Sequence, residues 1–262
     1  MTALPATTSV ELLKARRSRL PWVTVLAFTV VAVFGGLVMF IQQDPGRARS
    51  MGLLGTKAAL TGGDADWPAY FALLAQAIAV GGGLVFGLVV VWMFGREFSQ
   101  GTVKDLLALP SARIMIVGGK FVVAAVWCVT LGLYTYLVGL VVGMALGLPG
   151  WSVTVAVTGL LRLLATAVMA MMLVTPFALA ASVGRGYLAG VGIMFVASFL
   201  AQVIALLGYG QYFPWSVPAL FSGIAGPEHD PPGLLGYLLV ALVGVGGVLA
   251  TAGWWRHADQ DR

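Results

Sequence analysis

Six long apolar stretches follow one another along the chain, and shorter segments between them hold most of the charges. Each stretch approaches or exceeds the roughly 20 residues that a helix needs to cross a bilayer. A helix satisfies its own backbone hydrogen bonds, so it is the expected form of such a segment in lipid. The pattern predicts an all-α polytopic membrane protein that forms one transmembrane domain over residues 1–262. Its six transmembrane helices are predicted at about residues 21–41, 69–94, 116–148, 163–181, 187–207 and 234–254.

The segment before the first span, residues 1–20, is basic. A helix over residues 10–20 carries its apolar residues on one side and lets its basic residues face lipid headgroups. This pattern favours an N-terminal amphipathic interfacial helix, and a plain anchor that only orients the first span is the alternative. The basic residues are Lys14, Arg16, Arg17 and Arg19.

Arg162 sets the predicted start of the fourth span. An arginine at the bilayer centre costs roughly 2.5–3.5 kcal/mol on insertion scales. A span that begins just after Arg162 avoids this cost, so residues 152–162 are expected to lie along the membrane interface. Lys120, at the start of the third span, is expected to extend its ammonium group to the headgroups.

Composition supports the same class of protein. Only 10% of the residues are charged and the mean hydropathy is +0.96, whereas a soluble domain carries about 25% charged residues. The net charge of +5 reflects basic residues held near one membrane surface and does not indicate nucleic-acid binding. Cys128 is the single cysteine, which excludes an internal disulfide. The first apolar run is too long for a cleavable signal peptide, and none is expected.

Lysine and arginine are shared unevenly between the two sides of this arrangement. Eleven lie on the side of both termini and four on the other side. Basic residues concentrate on the cytoplasmic side of membrane proteins, so both termini and residues 95–115 are predicted to be cytoplasmic. Residues 42–68 and 208–233 are then exterior loops of a multi-pass membrane protein. The four exterior basic residues are Arg47, Arg49, Lys57 and Arg162.

Two further patterns concern packing. Small residues allow helices to approach closely in lipid, so a glycine series in the third span indicates packing within one subunit or a dimer face. The series is Gly139, Gly143 and Gly147. The exterior stretch 212–226 is too apolar for a free loop and too broken to span, which predicts a re-entrant segment or an interfacial aromatic belt. Its apolar residues include Phe213, Pro214, Trp215, Pro218 and Phe221.

The residues give no support to a catalytic site or to ATP binding. His229 and His257 are the only histidines, and no Ser/His/Asp grouping or metal-binding helix motif is visible. The stretch "ARIMIVGGKF" lacks the first glycine of a phosphate-binding loop and ends Lys120-Phe121. The spans also lack the deep ionisable groups of an ion-coupled carrier. We therefore expect no enzyme activity and no cofactor or metal on this chain, and another polypeptide must supply any energy.

The segment 95–115, which we call the polar hinge, differs from its apolar surroundings. Arg96 and Glu97 end the second span, and Gly101-Thr102 interrupts the helix. The run "VKDLLALPSAR" can form one short helix that Pro110 ends. Exposed leucines on such a helix favour docking into a groove of a partner. A connector that lies on the lipid surface is the alternative.

The hinge resembles the loop between the second and third spans of type-2 exporter permeases of the ATP-binding-cassette (ABC) class. That loop reads as an acidic-aromatic pair, Gly-Thr, a leucine pair, Leu-Pro, a basic residue and Gly-Lys. The basic N-terminal helix, the six spans and the aromatic exterior segment are also similar. The matching residues are Glu97-Phe98, Gly101-Thr102, Leu106-Leu107, Leu109-Pro110, Arg113 and Gly119-Lys120, with Arg96 beside them.

The resemblance implies that the hinge carries a coupling helix seated in a cytoplasmic ATPase. Two copies of the ATPase, which bind ATP and Mg, would drive two permease subunits, identical or sister chains. The resemblance is nearest to bacterial drug, antibiotic-peptide and immunity permeases, which implies export or extraction of an amphiphile from membrane lipid. A membrane scaffold or sensor that holds a cytoplasmic partner is the alternative function, and a stand-alone carrier or membrane enzyme is a third.

Overall fold

The computed structural model describes residues 3–52, 64–108, 112–224, 226 and 232–257. Every regular element in these residues is helical. Shorter turns occur at Ile78–Gly82 (π), Gly210–Tyr212 and Pro214–Ser216 (both 3₁₀). The helices are α1 (Ala3–Arg16), α2 (Leu20–Gln43), α3 (Pro45–Ser50), α4 (Trp67–Ala77), α5 (Gly83–Ser99), α6 (Val103–Ala108), α7 (Arg113–Ala145), α8 (Val153–Val183), α9 (Tyr187–Leu206), α10 (Val217–Phe221) and α11 (Leu234–His257).

Six helices in the described residues are long and apolar enough to cross a membrane, which confirms the predicted all-α class and number of spans. The second of them is α4 and α5 joined through the π turn at Ile78–Gly82. The protein is therefore a multi-pass membrane protein. The spans are α2, Trp67–Ser99, α7, α8, α9 and α11.

The helix α8 begins at Val153, ten residues before the predicted start of the fourth span, so residues 153–162 continue this helix and do not form a separate interfacial segment. At 1.5 Å per residue, a helix of 31 residues is about 46 Å long, well beyond a hydrocarbon core of roughly 30 Å. Arg162 can therefore lie inside the helix and still stay far from the bilayer centre. One guanidinium nitrogen of Arg162 lies 3.5 Å from the carbonyl oxygen of Phe221.

The helix α8 is the most buried span, and α4, α5, α7, α9 and α11 all pack on it. Its contact with α11 is very close, because two glycines of α11 face α8. A β-carbon on Gly244 would lie 2.8 Å from that of Met172, and one on Gly247 would lie 2.7 Å from the backbone nitrogen of Pro176. Pro176 is accommodated within the continuous helix, and the hydroxyl of Thr175 lies 2.9 Å from the carbonyl oxygen of Met172.

Two of the three predicted packing glycines in α7 face the second span. A β-carbon on Gly139 would lie 2.5 Å from Leu74, and one on Gly143 would lie 2.5 Å from the ring of Trp67. Both glycines therefore serve packing within the subunit. Gly147 lies beyond the end of α7 with a φ of +63°, and a β-carbon there would meet no atom within 4 Å. Gly147 forms the left-handed turn that ends the helix and makes no close packing contact within the subunit, so its place on a dimer face stays a prediction.

The stretch from Gly210 to Phe221 folds as short helical turns against the end of the bundle opposite the chain termini. The indole nitrogen of Trp215 donates a hydrogen bond to the carbonyl of Leu173, at 3.1 Å. The ring of Phe221 contacts that of Tyr237 edge to face. Phe213 packs on Trp215, Pro214 opens a 3₁₀ turn and Pro218 is buried. The stretch thus packs on α8 and α11, and its depth in the membrane stays a prediction.

Candidate functional site

The polar hinge folds at one end of the bundle, together with α1 and the last turn of α11. We call this the termini end. The helix α5 continues through Ser99, and Gly101, with a φ of +70°, then turns the chain into α6. A left-handed glycine is the common way to end a helix, because other residues pay a steric penalty there. The Gly-Thr pair of the hinge therefore separates α6 from the second span.

Two lysines and two glutamates meet beside this turn, and we call these four residues the charge cluster. The ammonium group of Lys120 on α7 lies 2.9 Å from a carboxylate oxygen of Glu11 on α1 and 2.8 Å from one of Glu97 on α5. The ammonium group of Lys14 lies 2.9 Å from Glu11 and 3.0 Å from Glu97. Each cation thus bridges both carboxylates, and the cluster joins three helices.

The charge cluster is electrically neutral, and three of its four side chains are buried. Lys120 is 0% exposed, Glu97 2% and Glu11 5%. A buried charge is tolerated only when it is paired and hydrogen-bonded, and here every charge has two opposite partners. Lys120 also donates to the carbonyl of Met93 at 3.0 Å, and the hydroxyl of Thr102 donates to the Glu97 carboxylate. Partial burial disfavours the charged form of Lys14, but the carboxylates of Glu11 and Glu97 outweigh it and raise the pKa of Lys14.

The prediction that Lys120 extends to the headgroups is therefore wrong. The lysine side chain turns inward because Glu11 and Glu97 offer two carboxylates inside the bundle. Sequence reasoning missed Glu11 altogether and assigned Lys14 only to lipid. Glu11 is the sole acidic residue in the first 43 positions, and Lys120 is a lone lysine in an apolar run. These two isolated residues of opposite charge were the available signal of a pair.

The helix α1 packs against α7 through the glycine that precedes Lys120. A β-carbon on Gly119 would lie 3.2 Å from the backbone of Thr7, and the Thr7 hydroxyl donates to the carbonyl of Met115 at 3.1 Å. Glu11 and Ala15 face the bundle, while Val10 and Leu13 are about half exposed at 52% and 49%. Val10 and Leu13 therefore lie at the surface of α1 and not in the packed core.

The two ends of the hinge are also attached to α11. The ring of Phe98 packs edge to face on both Trp254 and Trp255, at centroid distances of 5.9 and 5.8 Å. The guanidinium of Arg113 donates to the carbonyl of Arg256 at 3.2 Å. A cation near the last carbonyls of a helix is favourable because those groups have no partner within the helix. Glu97, Phe98 and Arg113 thus bracket α6 with contacts to α1, α7 and α11.

The structure places most of the predicted hinge residues around this bracket. Arg96 lies over the ring of Trp92, 5.0 Å from its centroid, and Leu106 on α6 is partly exposed. The side chain of Leu107, with Leu109 and Pro110, lies outside the described residues. The sequence pattern of the hinge therefore combines a helix-ending turn, the short and partly exposed helix α6, and flanking residues that contact other helices.

The chain belongs to the ABC-2 family of transporter proteins, whose family profile matches residues 8–201. It is thus a transport permease subunit, of a family whose permeases generally work with a separate ATPase subunit. It is similar to the bacitracin transport permease protein BCRB of Bacillus licheniformis. The two are 26% identical over 176 residues, which is 67% of this chain and 84% of that permease.

Proposed function

We propose that this chain is the membrane subunit of an ATP-driven exporter in the bacterial inner membrane, and that α6 is the helix on which the ATPase acts. A cytoplasmic ATPase seats on α6 and supplies ATP hydrolysis with its Mg. Two ATPase copies act on two permease subunits, this chain and an identical or sister chain. The proposal assigns both termini and the polar hinge to the cytoplasmic side, in line with the positive-inside bias.

The observation that carries the proposal is the way α6 is held. It is a six-residue helix between two long spans, with Lys104 and Asp105 exposed and Leu106 partly exposed. Immediately before it, Thr102 and Glu97 tie the chain to the charge cluster. A partner that grips α6 therefore acts on α5 and α7 together.

The contacts of Glu97 and Phe98 with other helices define how a movement of α6 is transmitted. Glu97 passes it to α7 through Lys120 and to α1 through Lys14. Phe98 passes it to α11 through the paired tryptophans. Packed interfaces with ion pairs shift between discrete arrangements and do not deform continuously. In the proposed cycle, closure of the two ATPases moves these helices as a unit and opens the path between the two permeases.

The cargo that we propose is an amphiphile, such as an antibiotic peptide, a drug or a lipid-like molecule. The similar permease of Bacillus licheniformis carries bacitracin transport in its name. In this chain a cavity of about 460 Å³ opens between α5, α8, α9 and the Gly210–Phe221 stretch. Phe177 and Trp215 give it apolar walls, with Ser198 and Gln202 as polar groups. Such a lining suits a molecule with one apolar and one polar part.

Affinity purification of the tagged chain from its native membrane tests the proposal. A stoichiometric ATPase with a phosphate-binding loop should co-elute in mild detergent. Leu106→Asp should reduce its recovery by roughly 30-fold, because a charge replaces an apolar contact of the docking helix. The matched control is Ser50→Asp, which puts the same charge on exposed α3 at the opposite end. Purification without any ATPase would favour a scaffold role in place of transport. Equal losses in both variants would contradict docking of the ATPase on α6.

Cysteine labelling tests the orientation separately. Lys104 on α6 and Ser50 on α3 are both exposed, and Cys128 is buried. In a Cys128→Ala background, a membrane-impermeant thiol reagent should label Ser50→Cys in intact cells. It should label Lys104→Cys only after the cells are permeabilised. The reverse pattern would place the termini outside and contradict a cytoplasmic coupling helix.

A further inference from the structure

A basic groove lies beside the charge cluster, between α1 and the last turns of α5. Its volume is about 510 Å³. Arg17 stands on the α1 side, and Trp92 and Arg96 stand on the α5 side. Val10 and Leu13, the half-exposed apolar residues of α1, line the same groove. It therefore combines two guanidinium groups, an indole ring and an apolar strip within one depression.

The two arginines give the groove a net positive charge that no carboxylate of the described residues neutralises. Lys14 also lines it, but the carboxylates of Glu11 and Glu97 already balance Lys14 and Lys120. Within the part of the chain that the structure describes, neither Arg17 nor Arg96 is ion-paired with a carboxylate. Arg96 is instead oriented by the ring of Trp92 and by a 3.0 Å hydrogen bond to Gln100.

The residues at the termini end are of the kind expected in the headgroup layer of a membrane. Tryptophan concentrates at membrane interfaces, and Trp22, in the first turn of α2, is 80% exposed. Trp92 lies about 10 Å before Ser99 along the helix axis, at 1.5 Å per residue. The groove thus reaches into the bilayer side of the termini end, where lipid has access, while α6 lies beyond it.

We infer that this groove binds the headgroup of an anionic glycerophospholipid. The guanidinium groups of Arg17 and Arg96 hold the phosphate, since guanidinium binds phosphate oxygens through paired hydrogen bonds. Val10, Leu13 and the Trp92 ring contact the glycerol backbone and the first acyl carbons. This accounts for the exposure of Val10 and Leu13 on α1. The bound lipid then lies next to Glu97, so membrane composition acts on the charge cluster itself.

Retention of lipid by the purified full-length chain tests this inference. Native mass spectrometry after exchange into equal amounts of phosphatidylglycerol and phosphatidylcholine should show preferential retention of phosphatidylglycerol. Arg17→Gln with Arg96→Gln should weaken that retention by about 30-fold, because two basic contacts with an anionic headgroup are lost. The matched control, Arg16→Gln with Arg19→Gln, removes the same charge from exposed positions that do not line the groove, and it should retain the lipid.

Fluorescence provides a second measurement that does not depend on the arginine variants. Phosphatidylglycerol brominated near the top of its acyl chains should quench the emission that Trp92→Phe removes. Brominated phosphatidylcholine should quench it much less.

Several results would overturn the inference. They are equal retention of both lipids by the wild-type chain, equal losses in the groove and control variants, and displacement of the lipid by millimolar inorganic phosphate, which would assign the groove to a soluble anion. If the variant Arg17→Gln with Arg96→Gln lost the co-purifying ATPase but kept the lipid, the groove would be assigned to the protein partner.

Discussion

Replacing Lys120 by methionine is expected to destabilise the protein by about 3–5 kcal/mol, the usual cost of removing one partner from a buried ion pair. Methionine keeps much of the side-chain volume, so the loss is mainly electrostatic. Glu11 and Glu97 would then share Lys14 alone, which leaves one uncompensated negative charge on two carboxylates that are at most 6% exposed. Lys120→Met should lower the melting temperature in detergent by roughly 10 °C.

The controls for Lys120→Met separate charge balance from a general effect of losing a lysine. Lys104 is exposed on α6, so Lys104→Met should change stability by no more than about 0.5 kcal/mol. In the double variant Glu11→Gln with Lys120→Met, Lys14 and Glu97 remain as one balanced pair, and part of the lost stability should return. Equal melting of Lys120→Met and the wild-type protein, or no recovery in the double variant, would contradict the role of the charge cluster.

The double variant also tests whether the charge cluster transmits force. It keeps the remaining buried charges balanced but removes the contact between Lys120 and Glu97, which is the direct link from the hinge to α7. Under the proposed function, an assembled complex of this variant should hydrolyse ATP with reduced transport. If the double variant transported normally, the charge cluster would have a structural role only.

The spans could be predicted from the sequence because length and hydropathy are local properties. The partners of Lys120 could not, since Glu11 lies 109 residues away and Glu97 lies 23 residues away along the chain. A lone lysine at the start of a span is compatible with a headgroup contact or with a buried pair. Only the packing of α1 against α7 decides between them.

The length of α8 could not be predicted for a different reason. The cost assigned to Arg162 was that of a charge at the bilayer centre, whereas α8 is long enough to hold it away from the centre. Helix length depends here on packing against five other helices, which hydropathy does not report. The same limit applies to glycine: spacing marked Gly139 and Gly143 correctly as close contacts, but it could not separate Gly147, which forms a turn.

Gly247→Ala is expected to destabilise the protein by about 1–3 kcal/mol or more, the range found for overpacked cores. The new methyl group would lie 2.7 Å from the backbone nitrogen of Pro176 and 2.9 Å from its Cδ. Neither atom can rotate away, because both belong to the backbone and ring of a residue inside α8. The two helices must therefore separate, which also weakens the contact of Gly244 with Met172.

The neighbouring glycine supplies a control in the same helix. A β-carbon on Gly246 would meet no atom within 4 Å, so Gly246→Ala changes the intrinsic helix preference without a steric cost. Alanine favours a helix over glycine by up to about 1 kcal/mol, and Gly246→Ala should melt at or slightly above the wild-type temperature. Adjacent, chemically identical substitutions should thus have effects of opposite sign. If both variants melted alike, α11 would not pack on Pro176 through Gly247, and the close α8–α11 contact would have to be abandoned.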